Sequence, residues 1–211
     1  MRKIISQIHT SKDGIVCKDK TGKEHVVFKK QGDLDGACAT YCVVTNLLIL
    51  RQIKDKDTRV GNDEMPSDRA TRKFIKTFMK EYGMHINGQS YYKIKRMLCN
   101  SFNKVECKHF DSKGSKSLDY IEKTIDKDKP IIISVSQKKW AHALLAVGYE
   151  KDNDIISKIL CLDPSRESCR NKRWNMEIEV KNFGLDNRQP TIIYDGSYVS
   201  LDDVLILSVK P

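Results

Sequence analysis

The chain has 211 residues, 39% of them hydrophobic and 31% charged, with a formal net charge of +10. That length suits one domain, residues 1–211, and no apolar run approaches the roughly 18 residues of a membrane span. The start, MRKIISQIHTSKDG, is basic but lacks the apolar stretch of a secretory signal, so the expected compartment is the cytoplasm, with export as an effector by another signal left open.

Residues 1–30 read as short N-terminal strands, KIISQIH, GIVCKD and EHVVFKK, separated by the turn-forming SKDG and DKTGK. Residues 31–129 read as a mainly helical lobe. A helix begins near residue 38, and its Cys42, Val43, Val44, Leu47, Leu48, Ile49 and Leu50 are apolar almost all round, the pattern of a helix buried in a core. KDKDTRVGNDEMP is a polar loop. Ser67 and Asp68 can cap a second helix, with Phe74, Ile75, Phe78, Met79 and Tyr82 as its apolar stripe and Gly83 as its stop. Ser90 can cap a third, YYKIKRMLCNSF, and SLDYIEKTI makes a fourth. From Pro130 the chain reads as an antiparallel sheet lobe, residues 130–211, with strands IIISVS, HALLAVGY, ISKILCL, WNMEIEV, TIIY and VLILSV. Helices early and strands late indicate an α+β fold rather than an alternating parallel α/β sheet.

Seven cysteines, at positions 17, 38, 42, 99, 107, 161 and 169, are odd in number and lack framework spacing, which indicates reduced thiols. Cys38 stands out among them. It follows Gly36 and lies at the expected N-terminus of the buried helix, where the helix dipole and unpaired N–H groups favour thiolate, the nucleophilic form. Cys42, one turn further in, suits helix packing. Gln31 precedes Cys38 on the same loop, and a side-chain amide there can donate to an oxyanion. His142 opens a strand beside small alanines and Trp140, a place from which it can face a cleft as a base. Asp163 ends the next apolar strand, ahead of Pro164, where its carboxylate can orient His142.

In this order the residues resemble a papain-like cysteine peptidase, closest in style to the compact bacterial branch that includes the peptidases removing double-glycine leaders from bacteriocins. In DGACA, residues 35–39, Gly36, Ala37 and Cys38 fit the papain pattern Cys-Gly-[Ser/Ala]-Cys-[Trp/Tyr], with Asp35 and Ala39 at its first and last positions. HALLAVGY resembles the histidine strand, and CLDPS resembles the Asp-Pro ending of the bacterial branch. The resemblance implies a helical lobe packed on an antiparallel sheet or half-barrel, with Cys38 and His142 facing each other across a cleft. It implies Cys38 as nucleophile, His142 as base, Asp163 as orienting carboxylate and Gln31 as oxyanion donor, with Gly36 and Trp140 lining the substrate cleft.

The expected function is hydrolysis of a peptide or isopeptide bond in a protein or peptide substrate, through a thioester and without a cofactor. A papain-fold glutamine deamidase or transglutaminase would use the same residues, and a non-catalytic basic binding protein is the alternative from another class. The charge admits nucleic acid as a partner, but the chain has no arginine-rich helix or aromatic-studded basic strand, so a solvated basic surface is preferred. Cys38 and Cys42 have a spacing zinc sites use, with Cys161, Cys169 or His109 as further ligands. A single pair on an apolar helix matches such a site poorly, and no metal is expected.

Overall fold

The computed structural model describes residues 1–32, 36–58, 66, 68–77, 90–181 and 189–210. The expected Ser67 cap, the Phe78, Met79 and Tyr82 stripe and the Gly83 stop lie outside these residues, as do most of the loop before the second helix and most of residues 83–90.

The apolar run after Gly36 forms α1 (Cys38–Ile49), with Ala39, Cys42, Val43, Leu47, Leu48 and Ile49 buried. Burial on nearly every side follows from its composition, because a helix without a polar face must be surrounded. A 3-10 turn at Asp55–Thr58 follows. Next comes α2 (Arg69–Lys76), capped by Asp68, whose carboxylate accepts from the Thr71 N–H. Ser90 caps α3 (Tyr91–Ser101) through the Lys93 N–H. The last helix, α4 (Ser115–Asp126), begins at Gly114, whose φ of 55° suits a residue without a side chain. No helix among the described residues is long and apolar enough to cross a membrane.

The strands are β1 (Arg2–Ile4), β2 (Ile8–Ser11), β3 (Gly14–Lys18), β4 (Glu24–Val26), β5 (Val105–Phe110), β6 (Ile131–Gln137), β7 (Trp140–Asp152), β8 (Ile155–Leu162), β9 (Met176–Lys181), β10 (Thr191–Tyr194) and β11 (Ser197–Val209). Six of them close a ring in the order β7-β6-β11-β10-β9-β8, with β8 returning to β7. All these pairings are antiparallel. The observed architecture is therefore a small closed barrel with helices packed on it, an α+β arrangement whose barrel goes beyond the open sheet or half-barrel expected.

Two strands from the earlier part of the chain join the barrel sheet. β1 adds to β7 at Gly148–Glu150, and β5 adds to β11 over Val204–Val209. β5 thus places a strand within the stretch expected to be mainly helical, and the expected KIISQIH strand divides into β1 and β2. β2, β3 and β4 form a separate three-stranded sheet. β1 approaches β7 so closely that a Cβ on Gly148 would lie 2.5 Å from the Lys3 carbonyl oxygen.

Helix α1 packs on β7. The Leu145–Leu162 register sets the start of β7 and the end of β8 at one end of the barrel. The N-terminus of α1 reaches that same end, where the Ala143 N–H donates to Cys38 Sγ at 3.3 Å.

Candidate active site

Cys38, His142 and Asp163 converge at this barrel end. Cys38 is the first residue of α1, which has no side-chain cap and no acidic residue in its first turn. Its sulfur takes a hydrogen bond from the Ala143 N–H at 3.3 Å, with His142 and the Ala39 N–H beside it favouring its charged form. His142 Nε2 lies 2.8 Å from Asp163 Oδ1, which leaves the other ring nitrogen, Nδ1, for the thiol. The imidazole is 14% exposed and the Asp163 side chain 0% exposed.

The carboxylate is held from several directions. Oδ1 also accepts from the Ser165 N–H at 2.9 Å and the Ser165 hydroxyl at 2.6 Å. Oδ2 accepts from the Tyr194 hydroxyl at 2.8 Å. Asn175 braces the Asp163 backbone in both directions, accepting from its N–H at 2.7 Å and donating to its carbonyl at 3.0 Å.

These contacts set the charges. Burial pushes Asp163 up, but the hydrogen bond and charge of His142 and the Ser165 donors outweigh it and bring its pKa down to about 2. Burial pulls His142 down, yet its hydrogen bonds to Asp163 and Cys38 raise it to about 9. Burial raises the Cys38 thiol, but the His142 hydrogen bond and charge and the N–H groups of Ala143 and Ala39 leave it below its ordinary value. At neutral pH these shifts favour a thiolate beside an imidazolium, the form that attacks an electrophilic carbon.

Two other cysteines show how much the surroundings matter. Cys42, one turn along α1, donates its thiol to the Ala143 carbonyl at 3.4 Å, and burial raises it well above its ordinary value. Cys17 also has a histidine partner, His25 at 3.5 Å, yet burial holds its thiol at about 11. Among the described residues, Cys17 has neither a helix N-terminus nor a buried carboxylate behind its histidine. A Cys–His contact alone does not activate the sulfur.

Gln31 is tied to the same end of the barrel, its N–H donating to the Pro164 carbonyl at 2.9 Å. The neighbouring Lys30 pairs with Glu167 at 2.5 Å, so residues 30 and 31 are fastened to the segment that follows Asp163. Gly36 is exposed next to the start of α1. Trp140 is 38% exposed, donates to the Gln137 side chain at 3.0 Å and packs 6.0 Å from the Tyr194 ring. Among the described residues, no three His, Cys, Asp or Glu side chains gather as a metal-ligand set.

Ser165, Tyr194, Asn175 and the Ala143 N–H were not singled out from the sequence. Ser165 had a local signal, since a serine two residues after an aspartate commonly closes a side-chain turn. Asn175 and Tyr194 had none, because their places depend on how β9 and β10 pair far from Asp163 in the chain.

No curated protein matches the chain. A family model, described as the Peptidase_C39-like family, matches residues 23–187. That span takes in Gln31, Cys38, His142 and Asp163 and most of the barrel. The chain therefore belongs to the Peptidase_C39-like family.

Proposed function

We propose that the chain is a cysteine peptidase that hydrolyses a peptide or isopeptide bond through a thioester on Cys38. The observation that carries this reading is Cys38 at the N-terminus of α1 beside His142, whose Nε2 meets the buried Asp163 at 2.8 Å. Membership in a peptidase family supports a protein or peptide as substrate.

In this mechanism the Cys38 thiolate attacks the scissile carbonyl carbon, and the carbonyl oxygen takes up the negative charge. The Cys38 N–H and the Gln31 side-chain amide stabilise that oxyanion; removing one such donor typically costs about 100–1000-fold in rate. The His142 imidazolium gives its proton to the leaving amine, the C–N bond breaks, and an acyl thioester remains on Cys38. Neutral His142 then takes a proton from water, whose oxygen attacks the thioester and releases the acid. Asp163 keeps the imidazole turned towards the sulfur throughout. Gly36 and Trp140 border the cleft on the Cys38 and His142 sides.

The test is incubation with protein and peptide mixtures, read by mass spectrometry, together with a thiol-directed electrophile. Cys38→Ala and His142→Ala should abolish chain cleavage and rapid labelling, whereas Cys42→Ala should keep both. Rapid labelling that persists in Cys38→Ala would overturn the nucleophile assignment. Conversion of glutamine to glutamate without chain cleavage would assign the same thioester chemistry to a side-chain amide instead.

A further inference from the structure

The two oxygens of the Asp163 carboxylate are secured unequally. Oδ1 meets His142 and both donors of Ser165, so losing one donor still leaves two. Oδ2 has one hydrogen-bond donor among the described residues, the Tyr194 hydroxyl at 2.8 Å. The Arg166 Nε lies 3.6 Å away, and its guanidinium turns outward to Asp195 at 2.6 Å. A carboxylate held only at Oδ1 could swing about its Cβ–Cγ bond, whereas one held at both oxygens has its plane fixed. The Tyr194 ring also packs 5.8 Å from the His142 ring and 6.0 Å from Trp140, alongside the His142–Asp163 hydrogen bond.

We propose that Tyr194 is a positioning residue of this site: its hydroxyl fixes Asp163 so that Oδ1 stays aligned with His142, and its ring covers their hydrogen bond. The inference rests on the cysteine-peptidase reading for its purpose, but its physical content concerns only Tyr194 and Asp163. Tyr194 is suited to remain a donor, because burial and the neighbouring carboxylate raise its phenol above the ordinary value. Among the described residues, the ionisable groups around Asp163 are His142 from β7, Cys42 from α1, Cys161 from β8, Tyr194 from β10 and Arg166 on its own turn. Of these, Tyr194 is the one whose replacement by phenylalanine removes a hydrogen bond while keeping charge and shape.

The experiment follows the carboxyl carbon of Asp163 by NMR in aspartate-labelled protein, with the resonance assigned by its loss in Asp163→Asn. Wild type, Tyr194→Phe and the control Tyr198→Phe, at a ring 72% exposed on β11, are titrated from pH 6 down through the wild-type Asp163 value of about 2. A hydrogen bond to a charged group is worth about 1.5–3 kcal/mol, so Tyr194→Phe should raise the Asp163 pKa by about 1–2 units. Its chemical shift at pH 6 should also move, a readout that survives if acid unfolds the protein before titration. Tyr198→Phe should change neither. An unchanged Asp163 shift and titration in folded Tyr194→Phe would overturn the proposal. A shifted Asp163 in a protein that cleaves nothing would instead uphold Tyr194 as the anchor and remove the peptidase reading. With cleavage present, Tyr194→Phe should lower kcat several-fold and leave KM unchanged.

Discussion

Replacing Asp163 with asparagine keeps the size of the side chain and removes its charge. In the wild type, His142 rises from 6.5 to about 9 against the opposing effect of burial. At 1.36 kcal/mol per unit, that corresponds to about 3 kcal/mol favouring imidazolium, shared between Asp163 and Cys38. The amide removes the Asp163 share and leaves burial in place, so the His142 pKa should fall by about 1–2 units. The assay is alkylation of Cys38 by iodoacetate across pH, read by mass. This anionic reagent is drawn to a thiolate that has an imidazolium beside it, so its rate should decline as His142 loses its proton. In wild type the decline should centre near pH 9, and in Asp163→Asn it should move down by about 1–2 units. A decline that stays near pH 9 in folded Asp163→Asn would refute the claim that Asp163 holds the charge on His142.

Gln31→Ala should lower peptide hydrolysis by about 100-fold while leaving alkylation of Cys38 unchanged, since alkylation forms no oxyanion; equal losses in both assays would count against the donor role. At pH 7 a thiol reagent should modify Cys38 ahead of the exposed Cys99, and should leave Cys17 and Cys107, held by burial at about 11 and about 12, unmodified until the protein unfolds. Peptide mapping over time reads that order. Gly148→Ala should cost about 1–3 kcal/mol in chemical denaturation, because its Cβ would press on the Lys3 carbonyl and push β1 off β7. The lowered pKa of Asp163 also predicts acid sensitivity. Its stabilising contribution is full above the unfolded value of 3.8 and is lost as pH falls through about 2, which a wild-type and Asp163→Asn comparison of unfolding midpoints in that window would reveal.

The residues with local signals were legible in the sequence. The all-apolar run after Cys38 marks a buried helix, and a cysteine at its first position has a physical reason to be a thiolate. The alternation around His142 and the apolar strand ending at Asp163 identify strand ends, and the antiparallel register of β7 and β8 then brings those ends together. The features that were not legible depend on long-range pairing. VECKHF, with the charged Glu106 and Lys108 alternating with Val105, Cys107 and His109, becomes β5 only because it pairs with β11 about a hundred residues later. Closure of the barrel depends on its first strand, β6, meeting its last, β11, which no local pattern specifies. WNMEIEV reads as a strand from Trp174; β9 begins at Met176, and the Asn175 side chain just ahead of it braces Asp163. Tyr194 looks like any aromatic in a strand until β10 carries it to the far oxygen of that carboxylate.

The central claim is that Cys38 is a thiolate paired with His142 at neutral pH. The most direct measurement is the pH dependence of Cys38 alkylation by neutral iodoacetamide, in wild type and in His142→Ala. Wild-type Cys38 should react rapidly well below the ordinary thiol value of 9.0, and His142→Ala should move its reactivity up by at least about one unit. A wild-type Cys38 that titrates like an ordinary thiol, with a profile unchanged in His142→Ala, would contradict it.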